Sequence, residues 1–376
     1  MNICLATSTF PANPDDRVHA PFLLDVIACL RRAGHHVSVL TQAREKHHRP
    51  PIEGLEVVWF PWKRMDGRLA EMSFDSPAAA RSALSLAYNG TRQVAALRGR
   101  VDVFFCAWMI PSGLYLYLDQ IFGGRTPYVL WALGSDVNKH KSNPVVRQGL
   151  RRIAQRSAHV YADGYRLCED VRRVTGRDCE FLPTFRSIAP APPSTSSARG
   201  PARFLYVGRH TGVKGTDVLI DALLAMPADE YSIDIAGDGE MTSRLRERIQ
   251  SAGLSSRVRF RGRLADAELY ALYAACDCVV IPSRSESIPI VLSEALQAGK
   301  PLIVTDVGDM GSIVREHHLG EVVPSEDPPS LARAMQRFIA DPRPPDQAGR
   351  ARILSDLMFE SAAPRLLRRL EEVARA

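Results

Sequence analysis

Two glutamates stand eight residues apart in the segment PSRSESIPIVLSEALQAGKP (282–301), on either side of a predicted helix start. Glu286 precedes the helix and Glu294 lies within it, while Gly299 and then Pro301 supply the stop. A carboxylate just before a helix can accept hydrogen bonds from sugar hydroxyls. The alternative interpretation is a capped amphipathic helix with two surface glutamates, and the spacing alone leaves both open.

The start of this helix suits an anion. Pro289 is predicted in the first turn, where proline is tolerated. It has no N–H, so the free donors are those of Ile288, Ile290 and Val291, and such a helix N-terminus can bind a diphosphate. Helical side chains lean toward the N-terminus, so Glu294 can reach a ribose diol while the amides hold phosphate.

Two further loops of the second half follow predicted strands and contain glycines. The loop VGRHTGVKGTD (207–217) places Arg209 and Lys214 five residues apart, suited to bring two cations onto a diphosphate. The loop AGDGE (236–240) has Gly237, which allows close backbone approach. Neither the Walker spacing nor GxGxxG is present. An ordinary turn with solvated cations is the alternative for each loop alone.

Length and composition predict a two-domain protein of the soluble globular class. The chain has 376 residues, of which 45% are hydrophobic and 24% charged. It shows neither a signal-peptide pattern at its N-terminus nor an apolar run long enough to span a bilayer. The seven cysteines form no CxxC pair and no zinc-like spacing with histidine. We therefore expect reduced thiols and a cytoplasmic location.

Positive charge is concentrated in the first half. Residues 1–185 hold 24 Lys and Arg against 17 Asp and Glu, and no acid occurs between Lys139 and Arg156. This predicts contact with an anionic membrane surface at the inner face of the cell membrane, or with a phosphorylated acceptor. A solvated basic helix is the alternative. Nucleic acid is disfavoured because no nucleic-acid-binding motif accompanies the charge.

Short apolar strands alternate with helical stretches along both halves of the chain. A Pro-, Ser- and Ala-rich segment, RSIAPAPPSTSSARG (186–200), interrupts the alternation and marks a linker. The pattern predicts an α/β fold with two parallel-sheet domains and a cleft between their strand C-terminal ends, where ligands bind in open α/β sheets. The last stretch, about 352–372, is helical by pattern.

Residues 203–342 resemble the C-terminal domain of retaining GT-B glycosyltransferases of glycosyltransferase family four, the group 1 glycosyl transferases of bacterial type. The motifs that carry the resemblance are VGRHTGVKG, IAGDGE, VRFRGRL, ESIPIVLSE and EALQAGKPLIVTDVG. The first half is similar to the matching acceptor domain in STFP, RVHAPF, GHHVSVLT, AWMIPSG and LGSDV.

The resemblance implies two Rossmann-like domains that face each other across a cleft. Residues 1–185 would form the acceptor-binding domain, 186–200 the linker and 201–350 the nucleotide-sugar donor-binding domain. Residues 351–376 would form a C-terminal helix that can pack back on the N-terminal domain.

The resemblance also implies roles for individual residues. Arg209 and Lys214 would hold the donor diphosphate, Glu286 would face the donor sugar, and Asp136 would face the sugar and acceptor from the first domain. Glu294 would bind the ribose hydroxyls. The implied donor-binding set is Gly208, Gly237, Arg263, Ser287, Ile288, Pro289, Ile290 and Glu294.

Several positions depart from the family pattern. Leu133 replaces a frequent histidine, Ser287 replaces the usual glycine, and Pro183-Thr184-Phe185 replaces the usual Pro-Asn-Gly. The glycine-rich loop after the first strand is PANPDDR, and a glutamate often found near Ser312 is absent. These departures leave the diphosphate site intact and the sugar and acceptor undetermined.

The resemblance implies a metal-independent, retaining hexosyltransferase without a cofactor, which uses a UDP or GDP sugar. The family is described as using a front-face mechanism in which the donor phosphate takes the acceptor proton. We expect a lipid-linked glycan or a small-molecule acceptor, in polysaccharide, glycolipid or specialised-metabolite assembly. A nucleotide-sugar epimerase and a non-catalytic nucleotide-sugar-binding protein are the alternatives.

Overall fold

The structure, a computed structural model, describes residues 1–13, 16, 19–43, 52–63, 77–138, 143–188, 200–227 and 230–376. The chain divides into two compact units: unit 1 is Met1–Pro183 with Phe359–Ala376, and unit 2 is Thr184–Met358. Residues 189–199 of the predicted linker lie outside the described residues, as do Lys139 and Lys141 of the basic segment.

A parallel β-sheet forms the centre of unit 1. Its strands within the described residues are β1 (Asn2–Thr7), β2 (His36–Gln42), β3 (Glu56–Phe60), β4 (Val103–Ala107), β5 (Tyr128–Ala132), β6 (His159–Ala162) and β7 (Glu180–Phe181). Their order across the sheet is β3-β2-β1-β4-β5-β6-β7. In register, Asn2 of β1 pairs with His36 of β2, and Cys4 pairs with Phe104 of β4.

Helices connect the strands of unit 1. They are α1 (Phe22–Arg32), α2 (Pro77–Ala96), α3 (Ser112–Ile121), α4 (Ser135–Asn138), α5 (Pro144–Arg156), α6 (Tyr165–Thr175) and, from the C-terminal end of the chain, α14 (Phe359–Arg375). The residues at the start of α5 explain why the helix begins there. The Asn143 side chain accepts hydrogen bonds from the N–H groups of Val145 and Val146, and Pro144 occupies the first turn.

Unit 2 has a second parallel sheet with the same central strand order. Its described strands are β8 (Ala202–Val207), β9 (Tyr231–Ala236), β10 (Val258–Gly262), β11 (Cys278–Ile281), β12 (Leu302–Thr305) and β13 (Gly320–Val323). They lie in the order β10-β9-β8-β11-β12-β13. Counted within each unit, both sheets follow the 3-2-1-4-5-6 order of the Rossmann fold.

The helices of unit 2 follow its strands in alternation. They are α7 (Thr216–Leu224), α8 (Thr242–Ser251), α9 (Asp266–Ala275), α10 (Ile290–Gln297), α11 (Met310–Glu316), α12 (Pro328–Ala340) and α13 (Gln347–Leu357). A short 3₁₀ turn, Gly212–Lys214, precedes α7.

Central strands in both units are covered on both faces, as continuous apolar runs predict for parallel sheets. Residues 103–107 of β4 and 278–281 of β11 are buried throughout. The core of unit 1 includes Phe104, Leu130 and Ile153. A separate core in unit 2 forms around β8 and β9 and the helices packed on them. The predicted fold class, α/β with two Rossmann-like units, is thus confirmed.

The C-terminal stretch forms two helices that belong to different units. Helix α13 ends at Leu357 within unit 2, and α14 begins at Phe359 within unit 1, where it packs against α1 and β4. Its largest buried side chains are those of Phe359, Leu366 and Leu370. Unit 2 begins at Thr184, two residues before the linker start that the sequence predicts.

Candidate functional site

The strand order of unit 2 brings two of the predicted loops together. Strands β8 and β11 are neighbours at the point where the order of the sheet reverses, which is where open α/β sheets bind ligands. Residues 208–215 follow β8 and residues 282–289 follow β11. Contact between the loops is direct, since the N–H of Arg284 donates to the carbonyl of Val213 at 2.8 Å.

Gly215 makes the close approach of these loops possible. It has a φ of +64°, and a Cβ at this position would lie 1.8 Å from the carbonyl oxygen of Pro282. A residue with a side chain would therefore be both strained and blocked. The glycine ends the 3₁₀ turn that carries Lys214 and leads directly into α7 at Thr216.

Arg284 fastens the same two loops through its side chain. The guanidinium donates to both carboxylate oxygens of Asp217, at 2.7 and 2.9 Å, and to Glu326 at 2.9 Å. It also donates to the carbonyl of Gly212. Partial burial opposes ionisation of Asp217, but the guanidinium holds the pKa of that carboxyl below its usual value. Arg284 thus fixes the base of the turn that presents Lys214, a role that nothing in its sequence context indicates.

Lys214 and Glu286 meet at the junction of the two loops. Lys214 Nζ lies 2.5 Å from Glu286 Oε1, and Ser283 Oγ donates to the same oxygen at 2.8 Å. The Glu286 side chain is 10% exposed and that of Lys214 is 26% exposed, so the pair is partly open to solvent. Two of the residues to which the resemblance assigns roles are therefore brought together, as an ion pair.

Arg209 lies on the same loop but in a different environment. Its backbone is anchored, because the Tyr206 hydroxyl lies 3.2 Å from its carbonyl oxygen and 2.7 Å from Thr216 Oγ1. Its side chain is exposed and makes no hydrogen bond or ion pair with the described residues. The guanidinium is therefore free to meet an anion without breaking an existing contact.

Helix α10 starts one residue later than the sequence predicts. Pro289 is extended, with φ −71° and ψ 141°, and caps the helix instead of lying in its first turn. The N–H groups of Ile290 and Val291 make no hydrogen bond with the described residues. Ile288 and Pro289 themselves are buried. The donor capacity expected at this helix start is present.

Ser287 departs from the family pattern without backbone strain. Its φ is not positive, so the conformation here does not call for glycine. Its Oγ is buried and has no hydrogen-bond partner among the described residues. The carbonyl of Ser287 accepts from the N–H of Asp309 at 3.2 Å, which ties the loop to the segment after β12.

The loops after β8, β9 and β10 also converge. Gly237 has a φ of +123°, and a Cβ there would lie 1.9 Å from the carbonyl oxygen of Gly208. The Gly237 N–H donates to the carbonyl of Gly262 at 2.8 Å. Arg263 follows immediately, with its side chain 64% exposed and its Nε 3.7 Å from Asp238. Gly208, Gly237 and Arg263 thus occupy adjoining loops.

His210, in the loop after β8, is buried under these loops and contacts Thr242 at the start of α8. It is fully buried, and its Nδ1 lies 2.8 Å from Thr242 Oγ1, while its Nε2 has no partner among the described residues. Burial lowers the pKa of His210 to about 4, so the ring is neutral at pH 7. The sequence alone does not mark this residue, because nothing in its spacing distinguishes a buried histidine from an exposed one.

Glu294 is more enclosed than a surface ligand-binding carboxylate. The residue is 2% exposed, the Tyr273 hydroxyl donates to its Oε2 at 2.7 Å, and Arg186 Nη1 lies 3.6 Å from its Oε1. Burial raises the pKa of Glu294, and the Arg186 guanidinium acts in the opposite direction. Tyr273 and Arg186 were not predicted, because no motif marks either residue.

Asp136 belongs to unit 1 and braces its loops. It is 4% exposed, and its carboxylate accepts from the N–H groups of Met109 at 2.7 Å and Leu133 at 3.2 Å. Burial raises its pKa to about 6, against the effect of these hydrogen bonds. The carboxylate therefore joins the loops after β4 and β5. Its expected role toward a sugar stays a prediction.

The second half of the chain matches a known protein family. Residues 190–353, a little under half of the chain, match the family model described as Glycosyl transferases group 1. The alpha-D-kanosaminyltransferase of Streptomyces kanamyceticus is 32% identical over 162 residues, which are 43% of this chain and 39% of that protein. The chain thus spans about two fifths of the length of the curated relatives that it matches.

Solved structures match both halves of the fold. Sucrose-phosphate synthase from Thermosynechococcus elongatus superposes with a TM-score of 0.79 at 19% identity, over 99% of each chain. Anabaena HepE in complex with UDP and glucose gives 0.71 at 18% identity, over 97% of each chain. At these identities the likeness establishes the fold. In sequence, residues 190–353 of this chain are similar to the Glycosyl transferases group 1 family.

Proposed function

We propose that this protein transfers a sugar from a nucleoside-diphosphate sugar to an acceptor hydroxyl, with retention of the anomeric configuration. One observation carries the proposal. Lys214 and Glu286 are held on adjoining loops at the switch point of the unit 2 sheet, and the N–H groups that begin α10 after the second loop make no hydrogen bond with the described residues. This arrangement offers a cation, a carboxylate and a helix N-terminus to one ligand.

The geometry fits the demands of glycosyl transfer on the donor side. When the glycosidic bond breaks, the sugar gains oxocarbenium character and the leaving diphosphate gains negative charge. The negative charge on the diphosphate would be stabilised by Lys214, Arg209 and the positive end of α10. Because Lys214 is paired with Glu286 before the donor arrives, we expect the diphosphate to compete with Glu286 for the ammonium group.

The two carboxylates of the site are engaged in contacts within unit 2. Glu286 is bound to Lys214 and Ser283, and Glu294 is enclosed by Tyr273 and Arg186. We propose the front-face reaction that the family resemblance implies, in which the donor phosphate takes the acceptor proton and neither carboxylate attacks the sugar. Cationic side chains supply the positive charge that stabilises the leaving diphosphate, and we propose that no metal is needed.

EDTA should therefore leave activity largely unchanged. Loss of activity that a divalent ion restores would contradict metal independence.

The relatives support a nucleotide-sugar donor. HepE has been solved with UDP and with UDP-glucose, and the Streptomyces relative is named for transfer of a kanosaminyl group. We propose a UDP or GDP sugar as donor. For the acceptor we propose a lipid-linked glycan or a small molecule of polysaccharide, glycolipid or specialised-metabolite assembly.

Helix α5 supports peripheral membrane association. Arg147, Arg151, Arg152 and Arg156 are exposed, and Val145 beside them is 79% exposed. Basic side chains near an apolar one suit an anionic bilayer surface. No helix among the described residues is long and apolar enough to cross a membrane. Cosedimentation with anionic vesicles at low salt tests the association, and no binding would indicate an acceptor free in solution.

The test of the proposed function is transfer itself. The protein is incubated with labelled UDP and GDP sugars, with and without an acceptor extract, and the products are separated. The proposal expects acceptor-dependent incorporation of label, with the donor's anomeric configuration in the product by NMR. Conversion of the donor sugar to an epimer without acceptor would establish the epimerase alternative. Donor binding without transfer to any acceptor would favour a non-catalytic protein.

A further inference from the structure

The chain that leads into unit 2 is fixed to two of its helices. The N–H of Ile188 donates to Gln297 Oε1 at 3.0 Å, and Gln297 Nε2 donates to the carbonyl of Arg186 at 2.9 Å. From α9, the Tyr270 hydroxyl donates to the carbonyl of Ser187 at 3.1 Å. The backbone around Arg186 is therefore held by α9 and α10 together.

The side chain of Arg186 lies between carboxylates from these helices. The residue is 7% exposed. Its guanidinium forms an ion pair with Asp266, the first residue of α9, and its Nη1 lies 3.6 Å from Oε1 of Glu294 on α10. An arginine buried to this extent is uncommon unless it is paired, and here its partners come from two separate elements.

Glu294 has one oxygen committed and one open. Its Oε2 accepts from the Tyr273 hydroxyl at 2.7 Å. Its Oε1 accepts no hydrogen bond from the described residues. This oxygen is also not fully buried, so a ligand can reach it. Oε1 therefore keeps its capacity to accept a hydrogen bond from a ligand. An acceptor that carries charge binds a hydroxyl donor more strongly than a neutral one.

We propose that Arg186 is a positioning residue that holds the Glu294 carboxylate in place and charged, so that Oε1 accepts a hydrogen bond from the ribose 2′-hydroxyl of the bound nucleotide. This inference rests on the proposed function, because it assumes that a nucleotide occupies the site. Its consequence is selectivity: the site should distinguish ribonucleotides from 2′-deoxyribonucleotides, and Arg186 should set that distinction without touching the ligand.

Calorimetric binding of matched nucleotide pairs tests the role of Arg186. UDP and 2′-deoxy-UDP, and GDP and 2′-deoxy-GDP, are titrated into the wild type, Arg186→Met and Arg203→Met. Arg203 is the matched control, because it forms an ion pair with Asp277 in the same unit, 2.8 Å away, and makes no hydrogen bond or ion pair with Glu294. A hydrogen bond to a charged group corresponds to a preference of about 10- to 150-fold. We expect that preference in the wild type and Arg203→Met, and a preference below about threefold in Arg186→Met.

Two further variants separate positioning from a general effect on folding. Glu294→Gln should lose the preference as Arg186→Met does, and the double variant should lose no more than either single variant. Arg186→Lys keeps the positive charge but lacks the planar guanidinium, so its preference for the ribonucleotide should be intermediate. This variant replaces Arg186→Met if the latter does not fold. A merely structural Arg186 would weaken the ribo- and deoxynucleotide equally and leave their ratio unchanged.

The outcomes distinguish the inference from the proposed function. If the wild type binds none of the four nucleotides, the proposed function fails. If the wild type binds them without preferring the ribonucleotide, or if Arg186→Met keeps the full preference, the role of Arg186 is wrong while the nucleotide site stands.

Discussion

Arg209 and Lys214 follow the same strand, yet their charged groups are engaged differently. Arg209 is exposed and unpaired among the described residues, whereas Lys214 is paired with Glu286. We expect Arg209→Ala to leave the free energy of unfolding within about 0.5 kcal/mol of wild type and to weaken donor binding about tenfold or more.

Lys214→Ala should lower turnover by about 100- to 1,000-fold, as loss of a transition-state contact does.

Steady-state kinetics and denaturant unfolding of both variants check these effects. The matched control is Arg352→Ala on α13, an exposed cation of the same unit that makes no hydrogen bond or ion pair with the described residues. It should behave as the wild type in both measurements. Near-normal turnover in Lys214→Ala would contradict the assignment of the diphosphate site.

His210 should make the stability of unit 2 depend on pH. Its pKa falls from 6.5 to about 4 on folding because the buried ring resists charging. The associated stability is therefore fully present above about pH 6.5 and is lost as pH falls toward 4. The loss amounts to about 3 kcal/mol at 1.36 kcal/mol per unit of pKa.

Denaturant unfolding at pH 7.5, 5.5 and 4.5 measures this dependence, with His210→Gln for comparison. The wild type should lose stability relative to the variant as the pH falls. Because other groups titrate in both proteins, only the difference between their curves reports on His210. Parallel curves would show that the ring charges freely in the folded protein.

At the scale of elements, the site depends on how closely the loops after β8 and β11 approach. Gly215→Ala would place a Cβ against the Pro282 carbonyl and force a left-handed conformation on alanine. Gly253→Ala is a matched control, because its φ is +72° and nothing lies within 4 Å of the added Cβ. The control should cost about 1 kcal/mol of stability.

Gly215→Ala should cost more than Gly253→Ala and should also weaken nucleoside-diphosphate binding, since the loop that carries Lys214 must move. Denaturant unfolding and calorimetric titration of both variants give the two quantities. Equal stability loss with unchanged binding in both would mean that the contact with Pro282 does not position Lys214.

The sequence predicted most strands of both units, because buried parallel strands are marked by continuous apolar runs. It missed β7 and β13. Strand β7 has only two residues, and β13, with the sequence GEVV, begins on a glycine of φ +151° and has a half-exposed centre. Pro289 was misplaced by one position because proline suits both the cap and the first turn.

At the scale of the whole molecule, the last helix belongs to the first unit. Removing residues 359–376 would uncover the surfaces that Phe359, Leu366 and Leu370 cover in unit 1. At about 1.5–3 kcal/mol for each buried side chain, unit 1 should lose about 5 kcal/mol or more. Unit 2 ends at Met358 and should keep its nucleotide binding.

Calorimetric unfolding with and without UDP or GDP tests this division. The shortened chain should lose or lower one transition and retain a nucleotide-sensitive one. Removal of residues 374–376 alone, which leaves the buried Val373 in place, should change neither. Loss of both transitions in the shortened chain would contradict the independence of the units.

The candidate site was predictable where motifs mark it and unpredictable where it depends on contacts between distant residues. Spacing indicated Lys214 and Glu286, which the structure joins. It could not show that Arg186 reaches Glu294, 108 positions along the chain, or that Arg284 fastens the Lys214 turn. Such pairings arise from packing, and an isolated arginine in a sequence carries no sign of its partner.

Nucleoside-diphosphate binding to the purified protein tests the central claim most directly. Thermal unfolding is measured with UDP, GDP and their sugars, for the wild type and Lys214→Ala. A ligand at about a hundred times its Kd should stabilise the wild type by roughly 2.7 kcal/mol, with one base preferred, and should stabilise Lys214→Ala much less at the same concentration. No stabilisation by any of these ligands, or equal stabilisation of both proteins, would contradict the donor site.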